Sequence, residues 1–360
     1  MKARPVSNEW KIDFEQFPTG GSPEEKLGFV LNYAILAPSS HNTQPWLFQI
    51  EGSVLEVMAD MTRALPVTDP DGRELVMSCG AALFHIRLAL QYFGYASEVE
   101  MFPDRERTTL LARLTLGLRC ESETDQIVLF QSIPRRRTNR SAFRDSPLPE
   151  SLLGELRTDA ETEGAWLLSA ASEPDRVTIA DLVAEADRIQ WANRKFRGEL
   201  AAWLRPNKRP GRDGIPGYAE GLEDLSSQVG PLVVRTFDLG KNRAAKDRDI
   251  ALYSPVLAVV GTDGDAPIDW MRAGQALARV LLRARSEDVW ASFLNQAIEV
   301  PEIRERLRTD LGCPGCPQLL LRFGYADDVP PTPRRPLKQV LTRSQHGSIR
   351  IVSGWQAADD

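Results

Sequence analysis

The second half of this chain repeats the order of the first, and that limits the fold more than any single motif. Val256-Leu257-Ala258-Val259 echoes Val54-Leu55-Glu56-Val57. Gly274-Gln275-Ala276-Leu277, with Val280 and Leu282, echoes Gly80-Ala81-Ala82-Leu83 with Ile86 and Leu88. The apolar stretch 318–325 then stands where 110–118 stood. Each match is short, so the shared order carries the argument. The period is too long for a solenoid unit. It reads as a diverged duplication, with halves at 22–130 and 131–341 joined near 131–140. The expected fold is α+β: a mixed, mainly antiparallel sheet with surrounding helices. Two copies in one chain behave as a pseudo-dimer, with a site where the halves meet.

Local signals support this order. Ser22 can cap a helix with Pro23 at its first position and Glu25 completing a capping box. Leu27, Val30, Leu31, Ala34 and Ile35 continue at helical spacing. Residues 46–50 and 54–59 flank Glu51-Gly52-Ser53 as a β-hairpin. A second helix is expected over 74–93, closed by Gly94, with strands at 97–102 and 110–118. Between 205 and 253 periodicity fails, and Pro206, Pro210, Gly211, Gly214, Pro216 and Gly217 crowd together. A stretch this long is functional or mobile. Tyr218, Leu222, Leu225, Leu232 and Phe237 give it apolar anchors and favour a lid over a disordered insertion.

Composition excludes several classes. The 360 residues carry a formal net charge of -6 at pH 7, which argues against nucleic acid or an anionic membrane as partner. Four cysteines imply no disulfide framework. No apolar run approaches the ~20 residues of a membrane span. Met1 to Phe17 lacks the order of a signal peptide. A cytoplasmic protein is expected, with a polar, peripheral tail beyond Arg343.

Two features carry candidate chemistry. In Ser39-Ser40-His41-Asn42-Thr43-Gln44, six hydrogen-bonding side chains follow a helix stopped by Pro38 and precede a strand that opens at Trp46. An ordinary turn needs fewer polar residues, and such a loop can grip one planar polar ligand. Arg135-Arg136-Arg137-Thr138-Asn139-Arg140 is the densest basic run of an acidic chain, and Arg334-Arg335 lies in the proline-rich 330–336. A lone charge run is an ordinary solvated surface. Two arginine clusters far apart in sequence are what a buried phosphomonoester needs.

These stretches resemble the nitroreductase family. Residues Ala37 to Trp46 are similar to its flavin-contacting segment, and Arg136-x-Thr138-x-Arg140 to the element that binds the FMN phosphate. Arg334-Arg335-Pro336-Leu337 resembles its C-terminal end. The arginine element occurs only at the start of the second half and the polar segment only in the first. With Trp203 and Asp213-Gly214-Ile215-Pro216, this arrangement resembles the Acg-like branch, in which a lid covers the flavin. The resemblance implies FMN held by Pro38, Ser39, Ser40, His41, Asn42, Gln44, Arg136, Arg137, Thr138, Arg140, Arg334 and Arg335. Asn295-Gln296 stand where family members approach the flavin N5 edge. The implied activity is NAD(P)H-dependent reduction of a small electron-poor acceptor, with no catalytic side chain beyond the flavin. The alternatives are flavin storage under a lid that blocks nicotinamide, or binding of another phosphorylated aromatic ligand. The chain is expected as a monomer acting as a pseudo-dimer or as a homodimer of it.

Other motifs contribute less. Cys313-Pro314-Gly315-Cys316 has redox spacing but precedes a strand and reads as a tight turn, with no partner for a metal. His85 lies in an apolar helix and reads as core, and His346 is in the tail. No Rossmann glycine loop or Walker motif is present.

Overall fold

The computed structural model describes residues 8–170, 172–208 and 211–342; the tail beyond Arg343, with His346, lies outside them. In chain order the helices are α1 (Pro23–Ala34), α2 (Arg73–Tyr92), α3 (Thr124–Ser132), α4 (Glu150–Thr162), α5 (Glu173–Ala192), α6 (Arg194–Trp203), α7 (Asp224–Thr236), α8 (Gly240–Leu252), α9 (Pro267–Ser286), α10 (Gln296–Glu299) and α11 (Pro301–Asp310). The strands are β1 (Trp46–Glu51), β2 (Val54–Ala59), β3 (Tyr95–Met101), β4 (Leu110–Arg119), β5 (Trp166–Ser169), β6 (Leu204–Arg205), β7 (Ile215–Pro216), β8 (Val256–Thr262), β9 (Trp290–Phe293), β10 (Cys316–Gly324) and β11 (Leu341–Thr342).

The expected capping box forms: Glu25 N–H donates to Ser22 Oγ at 3.2 Å, and Ser22 N–H to Glu25 Oε2 at 2.7 Å. The hairpin turns on Gly52, whose φ of 57° costs a residue without Cβ little. Strands divide between two main sheets. One has the order β11-β1-β2-β4-β3, with only β11 parallel to its neighbour. The other is antiparallel, β5-β8-β10-β9, and Thr138 adds a parallel bridge to Ala291 at its edge. The runs β1-β2-β4-β3 and β5-β8-β10-β9 correspond strand for strand. In each, a helix of 20 residues follows the second strand.

Those two helices pack against each other and against the sheets, so α2 is buried at every position except Arg87, Gln91 and Tyr92. By length and composition α2 could cross a membrane, contrary to the sequence expectation, yet it is a core helix enclosed on all sides. His85 is part of that core; its Nδ1 lies 3.0 Å from the Tyr33 carbonyl oxygen, and burial lowers its pKa to about 3, keeping it neutral.

The stretch 205–253 is more ordered than its composition implies. It holds β6, β7 and two helices, α7 with Pro231 inside and α8 packed on α5. α8 escapes a hydrophobic reading because it buries Gly240, Ala244, Asp247 and Ala251, small or polar residues at helical spacing. Among the described residues, the part of the stretch without helices longer than one turn lies before α7.

Candidate functional site

The chain leaves α1, passes Pro38 and enters a strained turn. His41, Asn42 and Gln44 have φ of 49°, 54° and 53°, three of the five non-glycine residues with positive φ among the described residues. Each such residue costs about 1 kcal/mol or more and persists only where its surroundings impose it. Ser39 Oγ accepts the Gln44 N–H at 2.9 Å. Gln44 Oε1 accepts the Arg335 N–H at 2.7 Å, and the Arg335 guanidinium donates to the Gln44 carbonyl and to Asp60. Arg335 is thus a lock on the segment, its charge matched by Asp60.

The other arginines behave differently. Arg136 and Arg334 both donate to the Leu36 carbonyl at 3.3 Å, and Arg334 also to Ala37. These carbonyls lie just past α1, where the helix dipole is negative. Arg334 further donates to Asn42 Oδ1 at 2.8 Å, joining stretches far apart in sequence. Trp10 lies beside them, its ring centroid 4.1 Å from the Arg137 guanidinium carbon and 4.8 Å from that of Arg334. Among the described residues no carboxylate pairs with Arg136, Arg137 or Arg334, and the Nε of each is buried without a partner. Burial, then repulsion from Arg137, pulls Arg136 down to about 9, and Arg334 is depressed by burial, then by repulsion from Arg136 and Arg137. Burial lowers Arg137 to about 10. Uncompensated buried cations cost several kcal/mol unless an anion joins them.

Over the polar segment lies the start of the 205–253 stretch. Gly214 N–H donates to the Asn42 carbonyl at 3.1 Å and Asn42 Nδ2 to the Gly214 carbonyl at 2.9 Å. Gln44 Nε2 donates to the Arg212 carbonyl at 2.9 Å. Asp213 pairs with Arg63 at 2.9 Å and Arg205 at 3.0 Å. Farther on, the Tyr218 hydroxyl donates to the Pro331 carbonyl, and Glu220 pairs with Arg140 at 3.1 Å and Arg243 at 3.3 Å. Burial raises the Glu220 pKa, but Arg140 and Arg243 outweigh it and hold it below the usual range.

The expected site residues therefore separate. Ser39, Ser40, Asn42, Gln44, Arg136, Arg137, Arg334 and Arg335 converge, with Pro38 at the head of the turn. Arg140 is engaged by Glu220, and Thr138 makes the backbone bridge to Ala291. Asn295 donates to Glu74 at 3.2 Å, whereas Gln296 turns to Asp187 and Asp247, 3.4 Å from each. Burial lowers the His41 pKa, against the attraction of Glu74, and its Nδ1 has no hydrogen-bond partner. Trp10, Glu74 and Glu220 were not legible as site residues, because nothing in their spacing marks them; Asp213 entered only within the Asp213–Pro216 resemblance. Burial pushes the Cys313 thiol up to about 11 and raises Cys316 as well, so neither is a ready thiolate. An open groove of about 280 Å³ between Phe84, Glu123 and Thr162 shares no residue with this site. Its Arg87 and Arg279 are already paired with acids, so it makes no comparable demand for a ligand.

No family model matches the chain. It is 33% identical over 323 residues to a Mycobacterium tuberculosis (strain H37Rv) protein named "Putative NAD(P)H nitroreductase Rv3131", covering 88% of this chain and 91% of that one. To the same organism's "Putative NAD(P)H nitroreductase acg" it is 28% identical over 312 residues, with 86% and 92% covered. Among solved structures, the FMN-dependent nitroreductase NfnB of Mycobacterium smegmatis in complex with NADPH aligns with a TM-score of 0.40 and 17% identity, covering 61% of this chain and 99% of that one. The chain belongs to the nitroreductase family, in its Acg-like branch.

Proposed function

We propose that the chain binds one FMN and is a nitroreductase-type oxidoreductase, taking hydride from NAD(P)H for a small electron-poor acceptor. The observation that carries this is the cluster of buried Arg136 and Arg334 with half-buried Arg137, which among the described residues make no ion pair with a carboxylate and have unsatisfied Nε atoms. A phosphate dianion matches that demand in charge and in hydrogen-bond acceptors. The relatives' names point to nitroreductase chemistry, and the solved NfnB is described as FMN-dependent. When bound, FMN supplies the hydride chemistry. The protein's part is to bind and cover: the arginines hold the phosphate, the strained Ser39–Gln44 turn presents fixed polar groups, and 212–220 excludes water.

One site per chain is the consequence of the proposed duplication, which the matching strand orders support. The polar segment exists only before β1, and the arginine element only before α4. We also infer that 205–223 is a lid. Its bonds to Asn42 and Gln44 favour, as a second reading, a flavin-storing protein whose lid keeps nicotinamide out.

The test is the absorbance of the purified protein and the identity and amount of flavin released from it. A yellow protein releasing about one FMN per chain is expected from a single phosphate site. Failure to bind FMN after reconstitution overturns the reading, and two FMN per chain overturns the single site. Anaerobic bleaching by NAD(P)H separates enzyme from store.

A further inference from the structure

Glu74, the second residue of α2, is 3% exposed. One of its carboxylate oxygens accepts the Ser40 hydroxyl of the strained turn, and the other accepts Asn295 Nδ2 at 3.2 Å. Its backbone is clamped as well: Asp69 accepts the N–H groups of Glu74 and Leu75 at 3.1 and 2.9 Å. Its neighbour Arg73 donates to the Gln318 carbonyl at 2.5 Å, fastening the same turn of α2 to β10. Asn295 has little freedom left, because its Oδ1 accepts the Leu320 N–H at 3.0 Å. One carboxylate on the first-half core helix therefore ties Ser40 of the first half to Asn295 of the second.

We propose that Glu74 is a positioning residue of the candidate flavin site, setting Ser40 and Asn295 as one unit across the junction of the halves. This rests on the FMN reading above. The Ser40 hydroxyl donates to Glu74, so its proton points at Glu74 and Ser40 Oγ offers lone pairs to a ligand. A buried charge-assisted bond at a helix N-terminus holds that orientation more firmly than a neutral one would. Asn295 acts as a strut rather than a free amide facing the ring.

In Glu74→Gln the amide oxygen can accept from Asn295 Nδ2 only if the amide nitrogen donates to Ser40 Oγ, which reverses the Ser40 bond and turns its hydroxyl proton away from residue 74. The opposite rotamer sets two donors against each other at Asn295. Reconstitution of the apo-protein with FMN, followed by absorbance, reads the result. Glu74→Gln is expected to weaken FMN about tenfold or more and to shift the visible bands of what remains bound. Glu74→Asp, which keeps the charge, recovers part of both. Ser40→Ala and Asn295→Ala are expected to be non-additive in FMN affinity, as for residues sharing one partner. This cycle serves even where a Glu74 variant does not fold. Wild-type affinity and spectrum in Glu74→Gln, or additive effects in the cycle, overturn the positioning role. A wild-type chain that takes up no FMN overturns the site itself, which is a different result.

Discussion

Gly80 and Gly274 face each other where α2 crosses α9. A Cβ on Gly80 would sit 3.2 Å from the Gly274 Cα and 2.5 Å from the Met271 carbonyl oxygen; one on Gly274 would sit 2.1 Å from the Met77 carbonyl oxygen. The contact is reciprocal, each glycine meeting the residue three positions before the other. Both glycines belong to the sequence echo of Gly80-Ala81-Ala82-Leu83 in Gly274-Gln275-Ala276-Leu277.

Gly274→Ala should therefore separate the helices. The obstacle is backbone, which cannot rotate away, so the cost is expected at the upper end of overpacking, about 3 kcal/mol. Gly28→Ala and Gly154→Ala are the controls, since a Cβ at either meets nothing within 4 Å. These lie inside α1 and α4 and should be stabilised by about 0.5–1 kcal/mol. Chemical denaturation midpoints decide the matter.

The arginine trio makes a prediction with opposite signs for two states. Arg136→Ala removes a buried cation without a carboxylate partner and only one long hydrogen bond, so the apo-protein should melt no lower than wild type apart from any cavity cost. Arg334→Ala also loses the bonds to Leu36, Ala37 and Asn42 and should cost more in the apo-protein. The same variants should weaken FMN by about 2 kcal/mol or more, the scale of a lost charge-assisted contact. Melting with and without FMN measures both. Equal destabilisation of the two states would make the cluster merely structural.

The elements legible in advance were those with a local signature: the Ser22 cap, the Gly52 hairpin, α2 closed by Gly94, and the echo of β2 and α2 in β8 and α9. α8 was hidden because it packs through small residues. The convergence of Arg136 with Arg334 was legible from composition, since a phosphate needs more than one arginine. The roles of Glu74, Glu220 and Trp10 were not, because each depends on a partner far away in sequence, and only the folded chain brings the two together. The engagement of Arg140 by Glu220 is of the same kind; the resemblance of Arg136-x-Thr138-x-Arg140 implies Arg140 as a phosphate ligand.

Asp187 gives the fold a pH dependence. Burial, then the charge of Asp247, raises its pKa to about 7, against the attraction of Arg243 and Arg188 and the Gln296 amide. The folded value lies above the unfolded one of 3.8, so its contribution is fully present below about pH 4 and lost as pH rises through about 7. Stability should fall between those limits by more in wild type than in Asp187→Asn, which has no proton to lose. Denaturation midpoints from pH 5 to pH 8 check this; parallel curves would show that Asp187 does not titrate there.

The last expectation concerns the cover over the site. Residues 212–220 grip Asn42 and Gln44 by main-chain bonds, and Glu220 holds Arg140, a residue of the same arginine element as Arg136. A donor carbon must come into near-attack contact with the flavin, and small misplacements cost orders of magnitude. If the competent state is open, the apparent affinity for nicotinamide falls by the open fraction. The intact protein should therefore be reduced slowly by NAD(P)H and completely by dithionite. Glu220→Gln weakens the hold on Arg140 and Arg243 and should speed reduction. Replacing 206–221 by a short linker should speed it further, with faster loss of FMN. Gly214 fixes the same cover, since its φ is 74° and a Cβ there would meet the Trp203 carbonyl oxygen at 2.4 Å. Gly214→Ala should act in the same direction as Glu220→Gln. Stopped-flow absorbance under anaerobic conditions reads all four proteins. Fast reduction of the intact protein would show that the segment does not gate nicotinamide, and no reduction even with the linker would leave a flavin store.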